Sequence, residues 1–245
     1  MKIIAMIPAR YAATRFPFKL MQPLGNKTVI RHTYDNTVAT QLFDEVYVVT
    51  DHDIIFNEIQ SHGGKAIMSQ RTHESGSDRI AEAITDLAID VVINVQGDEP
   101  FVNKQLLQTM VQLFKEDVAM AIKVATPYKP ITDAAQVHNP NIVKVVVDHH
   151  ENALMFSRAA IPFHRDQTIA VTYKEHIGVY GFRKEVLLQF TQWPMGILES
   201  IEKLEQLRYL ENGVPIKMIA TNDAGVKIDV PEDLPIAEAY LNQMK

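Results

Sequence analysis

Three cations stand close together near the start of the chain, Arg10, Arg15 and Lys19, in a loop bracketed by Pro8 and Pro17. The run before them, Ile3-Ile4-Ala5-Met6-Ile7, is apolar without alternation and predicts a strand buried on both faces. Guanidinium and ammonium groups suit phosphate oxygens. In open α/β sheets, ligands sit beyond the C-terminal ends of the strands. No glycine appears before Gly25, so the loop is neither a P-loop nor a dinucleotide fingerprint. An anion held here would be held by side chains and a few backbone N–H groups; the alternative is a solvated loop. A complementary stretch is Asp90-Val91-Val92-Ile93-Asn94-Val95-Gln96-Gly97-Asp98-Glu99-Pro100, where an apolar strand runs directly into acids. Mg²⁺ favours one or two carboxylates together with substrate phosphate oxygens. A turn using Asp and Gly for conformational reasons is the other reading, and the cationic loop on the same sheet edge favours the metal.

Weaker candidates follow. Ser75-Gly76-Ser77 precedes a helix capped by Ser77 or Asp78. A helix start of this kind is an anion or base-edge site, or simply a cap, and by itself the cap is the better reading. Tyr173 to Phe182 alternates as a strand with His176, Gly178 and Tyr180 on one face. Either His176 and Tyr180 form a satisfied core pair, or Gly178 leaves room between them for a small polar ligand. His149 and His150 sit at a turn tip and diverge into solvent. Asp229 is a second strand-end acid, ahead of a final helix with Pro231 at its first position.

The elements that must position these residues alternate. Helices are predicted from Thr28 to Ala39, Asp53 to His62 and Lys104 to Phe114, and strands over 45–51, 66–68, 119–125 and 216–220. Residues 143–148 and 153–158 read as an antiparallel hairpin. Leu198 to Leu210 has the spacing of an amphipathic helix, with Leu198, Ile201, Leu204 or Leu207, and Leu210 inward. Glu202, Glu205 and Arg208 would then be exposed partners. The expected fold is α/β, a doubly wound and mostly parallel sheet in one domain, with residues 139–182 as an inserted antiparallel hairpin lobe. The 245 residues suffice for such a domain.

Composition narrows the function. A net charge of −6 argues against a general nucleic-acid or anionic-membrane surface. The absence of cysteine excludes disulfides, thiolate zinc sites and a cysteine nucleophile. No signal peptide is visible, and no apolar run approaches the ~18 residues of a membrane helix, so a cytoplasmic protein is expected.

Taken in order, the motifs carry a resemblance. Ile7-Pro8-Ala9-Arg10-Tyr11, Thr14-Arg15 with Pro17 and Lys19, Ser75-Gly76-Ser77-Asp78-Arg79, and Asn94 to Pro100 are followed by Asn139-Pro140-Asn141 with Val143-Lys144-Val145-Val146. Phe156-Ser157-Arg158 with Ile161-Pro162, His176-Ile177-Gly178-Val179-Tyr180, Leu204 to Arg208, and Asp229-Val230-Pro231-Glu232-Asp233-Leu234 complete the series. Together the chain resembles the 3-deoxy-manno-octulosonate cytidylyltransferases (CMP-Kdo synthetases), of the nucleotide-diphosphosugar transferase fold. The resemblance implies the reaction of CTP with Kdo to give CMP-Kdo and pyrophosphate, with Mg²⁺, for lipopolysaccharide biosynthesis, by an enzyme that is a homodimer. It implies that Ala9, Arg10 and Lys19 hold the CTP phosphates and that Ser75, Gly76 and Gln96 read cytosine and ribose. Asp98 and Asp229 would hold Mg²⁺, and Arg15, Arg79, Arg158, His176, Tyr180, Glu205 and Gln206 would surround the sugar. Arg10, Lys19, Asp98 and Asp229 would be the catalytic set.

The chain departs from that pattern in places. Ala13 stands where the family usually has serine, and Phe18 and Leu20 flank Lys19 where it has glycine and proline. Lys227-Ile228 precede Asp229, which the family usually reaches through glycine and valine. Alternatives within reach are activation of sialic acid or an 8-amino Kdo analogue, a nucleotide-sugar glycosyltransferase, and a regulator without catalysis. The glycosyltransferase would need Asp-x-Asp, and Gln96-Gly97-Asp98 lacks the first acid.

Overall fold

The apolar run at the start of the chain forms β1 (Ile3–Ala9), buried throughout except at Pro8. The computed structural model describes residues 1–12, 16–73, 75–222 and 225–243. Two short strands, β2 (Pro23–Leu24) and β3 (Lys27–Thr28), lead into α1 (Val29–Ala39), whose start is capped by the Thr28 hydroxyl accepting from Arg31 N. Next come β4 (Glu45–Thr50), α2 (Asp53–Gln60), β5 (Ala66–Met68), α3 (Gly76–Ile84), β6 (Val91–Asn94) and α4 (Lys104–Glu116). The chain then builds β7 (Val124–Pro130), β8 (Lys144–Val147), β9 (Ala153–Ser157), β10 (Lys174–His176) and β11 (Tyr180–Arg183). It continues through α5 (Lys184–Phe190), α6 (Ile197–Glu202), α7 (Leu207–Glu211) and β12 (Ile216–Ala220) to α8 (Asp233–Gln243).

Contacts divide the chain into one unit of Met1–Val111 with Gly225–Lys245, and a second of Gln112–Ala224. In the first, the strand order is β5-β4-β1-β6, all parallel. The chain steps outward from β1 to β4 and β5, then returns to place β6 on the other side of β1. Such a reversal of strand order is where ligands sit in doubly wound sheets. The α/β expectation holds here: β1 is paired on both edges and its side chains are buried on both faces, which leaves no place for polar residues.

In the second unit β7 pairs in parallel with β12 on one edge and antiparallel with β11 and β10 on the other. From β10 the ladder continues through β8 to β9, the expected hairpin. Residues 139–182, expected as an inserted lobe, lie inside this unit. At the hairpin turn the Asp148 carboxylate accepts from His150 N and Asn152 N, leaving His149 and His150 exposed.

Four expectations need correction. The strand placed at 119–125 begins at Val124, because the Asp117 carboxylate captures Ala121 N and Ile122 N in a turn. The strand over 173–182 is interrupted between β10 and β11, where the Thr126 hydroxyl reaches the carbonyls of Ile177 (3.0 Å) and Val179 (2.8 Å). Residues 225–229 join no strand, and α8 begins at Asp233 rather than Pro231. The helix over 198–210 is two helices broken at Lys203, which adopts a left-handed φ of 54°. Its apolar stripe misled: Ile201 is 73 % exposed, whereas Arg208 is 8 % exposed. Arg208 gives both Nε and Nη2 to Glu199 at 2.6 Å and lies over the Phe190 ring at 4.0 Å. Among the described residues no helix is long and apolar enough to cross a membrane.

Removing one member of that buried pair strands the other charge in a poor solvent. Arg208→Ala should cost about 3–5 kcal/mol in urea unfolding. The paired change Arg208→Met with Glu199→Leu should cost less, because no lone charge is left behind.

Candidate functional site

The ends of β1 and β6 meet because Gly97 lets them. A Cβ there would lie 3.1 Å from Pro8 O and 3.3 Å from Ile30 Cδ1, and the Thr33 hydroxyl donates to Gly97 O at 2.9 Å. On the far side of Pro8, a Cβ on Gly76 would come within 3.3 Å of the proline ring, so the start of α3 also rests on the end of β1. Ser75, not Ser77 or Asp78, caps this helix by accepting from Asp78 N at 3.1 Å. Ala9, Gln96, Ser75 and Gly76 are thereby gathered around one strand end.

Lys19 is carried by a short 3₁₀ turn, Lys19–Met21. Its ammonium is bound to Asp98 Oδ2, and it lies 3.2 Å from Asp229 Oδ1 and 3.3 Å from the Ile228 carbonyl. Ile228 N in turn donates to Asp98 O at 3.0 Å, which draws the 225–229 segment against the end of β6. The backbone N–H groups of Asp229 and Val230 donate to Asp233 Oδ2, fixing Asp229 ahead of α8. Lys227 pairs with Asp229 Oδ2 at 3.1 Å. Arg10 is exposed and forms no ion pair among the described residues. Arg15 lies outside the described residues, as does Ala13.

The electrostatics follow from crowding. Burial pushes Glu99 up to about 8, helped by the neighbouring charges of Asp98 and Asp229. Burial alone would raise Asp229, but the nearby Lys227 and Lys19 outweigh it and hold the carboxyl below its ordinary range. Asp98 Oδ1 is buried without a hydrogen-bond partner among the described residues. No group of three or more His, Asp and Glu side chains that could hold a metal comes together among the described residues. Two carboxylates with one buried unpartnered oxygen fit a divalent ion that takes its remaining ligands from phosphate and water. Glu99 was not among the expected site residues, and only its adjacency to Asp98 signalled it; Lys227 stood out in the sequence as a departure that adds a positive charge beside Asp229.

Phe18 shows why the departure beside Lys19 is tolerated. It adopts φ 58°, ψ 23°, a conformation glycine takes freely and other residues take at a cost of about 1–2 kcal/mol. Its ring rests on Tyr11 at 4.5 Å, and Tyr11 stacks on His52 at 3.9 Å. The stack holds the strained turn that presents Lys19.

The residues expected around a sugar divide. Arg79 is buried and gives its guanidinium to Asp51 Oδ2 (2.6 Å) and Ser69 Oγ (3.0 Å), a tie between α3 and the ends of β4 and β5. In the second unit Arg158 donates to the carbonyls of Glu202 and Pro140, both at 2.8 Å. Beneath it the fully buried Lys144 binds the carbonyls of Asn139, Ile142 and Arg158. His176 lies 2.9 Å from the Thr126 hydroxyl, between the rings of Phe156 (5.0 Å) and Tyr180 (5.4 Å). Burial pushes His176 down to about 3. Burial, reinforced by the Glu205 carboxylate, pushes the Tyr180 hydroxyl well above its ordinary value. Gln206 is 3 % exposed, and its Nε2 has no hydrogen-bond partner among the described residues. His176, Tyr180 and Glu205 are thus neighbours, and Glu202, read from periodicity as exposed, binds Ser157 Oγ and Arg158 N.

Residues 4–219 match the family model described as cytidylyltransferase. The chain belongs to the cytidylyltransferase family. It is 56 % identical over 244 residues to a 3-deoxy-manno-octulosonate cytidylyltransferase of Flavobacterium johnsoniae, covering 100 % of both chains. It is 50 % identical to one of Christiangramia forsetii, over 98 % of this chain and 97 % of that one. A solved CMP:2-keto-3-deoxy-manno-octonic acid synthetase complexed with CTP superposes with a TM-score of 0.94 at 36 % identity, over 100 % of both chains. The enzyme is therefore a nucleotidyltransferase, and its mostly parallel α/β sheet is that of its relatives.

Two measurements test the geometry. Phe18→Ala keeps the strained backbone without the stack, and should weaken CTP binding in calorimetry about fivefold; Phe18→Gly, free to adopt the turn, should recover most of it. His176 is neutral when folded and takes a proton below about 6.5 when unfolded. Stability should therefore fall as pH drops from about 6.5 toward 3, and His176→Gln should flatten that slope in urea titrations.

Proposed function

We propose that the enzyme transfers the cytidylyl group of CTP to 3-deoxy-manno-octulosonate, releasing pyrophosphate and activating the sugar for lipopolysaccharide assembly. The observation that carries this is the Lys19 ammonium set between Asp98 and Asp229 at the reversal of strand order. In-line displacement at phosphorus needs positioning and charge neutralisation more than covalent help. The sugar C2 hydroxyl oxygen bonds to the α-phosphorus, the bond to the β-phosphate bridging oxygen breaks, and the hydroxyl proton is lost to solvent.

Arg10, exposed and without an ion pair among the described residues, and Lys19 bind the triphosphate and offset charge growing on the leaving pyrophosphate. The N-terminal turn of α3 at Ser75-Gly76 offers backbone donors beside the same strand end. Gln96 is placed to read a base edge. Asp98 and Asp229 would hold Mg²⁺, which when bound neutralises phosphate oxygens and makes the sugar hydroxyl easier to deprotonate. Toward the sugar, the unpartnered Gln206 amide is a buried donor awaiting an acceptor. His176 is held neutral, so it recognises hydroxyl groups rather than the acid. Arg79 contributes through the scaffold, since its guanidinium is engaged by Asp51 and Ser69.

Pyrophosphate release measured with each nucleoside triphosphate, with and without Kdo and Mg²⁺, decides the matter. Release with CTP only when both are present is expected. Turnover with sialic acid or the 8-amino analogue in place of Kdo would replace the substrate. Asp98→Asn should lower turnover at least ~10²-fold while leaving the thermal midpoint nearly unchanged. An active Asp98→Asn enzyme would remove Asp98 from the site.

A further inference from the structure

Asp229 is held on both sides. Lys19 Nζ lies 3.2 Å from its Oδ1 and Lys227 Nζ 3.1 Å from its Oδ2. The two lysines differ in freedom. The Lys19 side chain is 16 % exposed and also bound to Asp98 and the Ile228 carbonyl. The Lys227 side chain is 47 % exposed, and Asp229 is its one ion pair among the described residues. Asp98 and Glu99 add their fields to the same ammonium. A cation on a flexible, half-exposed stem therefore already occupies one of the oxygens that a divalent ion would need.

We propose that Lys227 is an exchangeable counter-ion: it occupies Asp229 in the nucleotide-free enzyme, yields that oxygen to the metal, and moves onto the polyphosphate. This rests on the reading of Asp98 and Asp229 as the metal-holding pair. When metal arrives alone, the Lys227–Asp229 pair must break and an ammonium is left beside a divalent cation. When a nucleoside triphosphate is present, the displaced ammonium finds phosphate oxygens instead. Metal and nucleotide then each raise the affinity for the other, by the same factor in both directions.

The test counts Mn²⁺ bound to the intact enzyme by electron paramagnetic resonance. It is run alone and with α,β-methylene CTP, allowing for Mn²⁺ held by free nucleotide. Lys227→Met should bind Mn²⁺ alone about three- to fivefold more tightly than the unmodified enzyme, the size expected for one partly exposed ion pair. The difference should shrink as salt is added. The analogue should tighten Mn²⁺ binding less in Lys227→Met than in the unmodified enzyme, and Lys227→Arg should restore the larger effect. Equal or weaker Mn²⁺ binding by Lys227→Met alone, or an unchanged response to the analogue, overturns the exchange and leaves the metal pair standing. Absence of Mn²⁺ binding in both proteins, with and without the analogue, removes the metal pair and the exchange together.

Discussion

The Lys19 ammonium lies among groups that would otherwise drive one another apart. Asp98 and Asp229 both bind it, and Glu99 shares their field. Two like charges about 4 Å apart at an effective dielectric near 20 repel by about 4 kcal/mol, so this arrangement persists only with cations inside it. The surroundings exist to keep that cation in place. Burial of β1 fixes where the cationic loop begins. The close approach at Gly97 brings the end of β6 to it. The Ile228–Asp98 backbone bond returns a distant segment to the same point. A centre built this way has its own charges already paired with one another.

The comparison with relatives bears on how such a site varies. Phe18 stands where the resemblance implies glycine, yet it keeps the glycine-like conformation. In this chain that shape is held by stacking on Tyr11 and His52 rather than by the freedom of a glycine. Lys227 acts differently, by placing a charge 3.1 Å from Asp229.

Much of the first unit was legible in the sequence. Uninterrupted apolar runs such as Ile3–Ile7 and Val91–Ile93, bounded by loops within an alternating pattern, read as buried strands, and acids or cations just after them then fall at one sheet edge. Periodicity failed where side-chain charges, not apolar faces, decided the fold. Arg208 was legible only as a surface residue, since nothing in its spacing shows that it would be buried against Glu199. Glu202 broke the helix expectation by turning back to Ser157 and Arg158, partners over forty residues away. Arg79 was placed beside the sugar by the resemblance alone; Asp51, which its guanidinium binds, lies 28 residues earlier. Asx and Thr side chains competing for backbone groups, as at Asp117 and Thr126, shifted strand ends in the same way.

The first unit is discontinuous, its final piece resuming only at Gly225 after the whole of the second. Lys19 and Asp229 are 210 residues apart. On a ribosome adding about 5–20 residues per second, Lys19 waits roughly 10–40 s for its second carboxylate. During that interval the emerging chain carries Lys19 and Asp98 but not Asp229, the second acid of the centre. Synthesis thus imposes an order of assembly on the centre, with charge recognition first and the finished constellation last, after the second unit has been made.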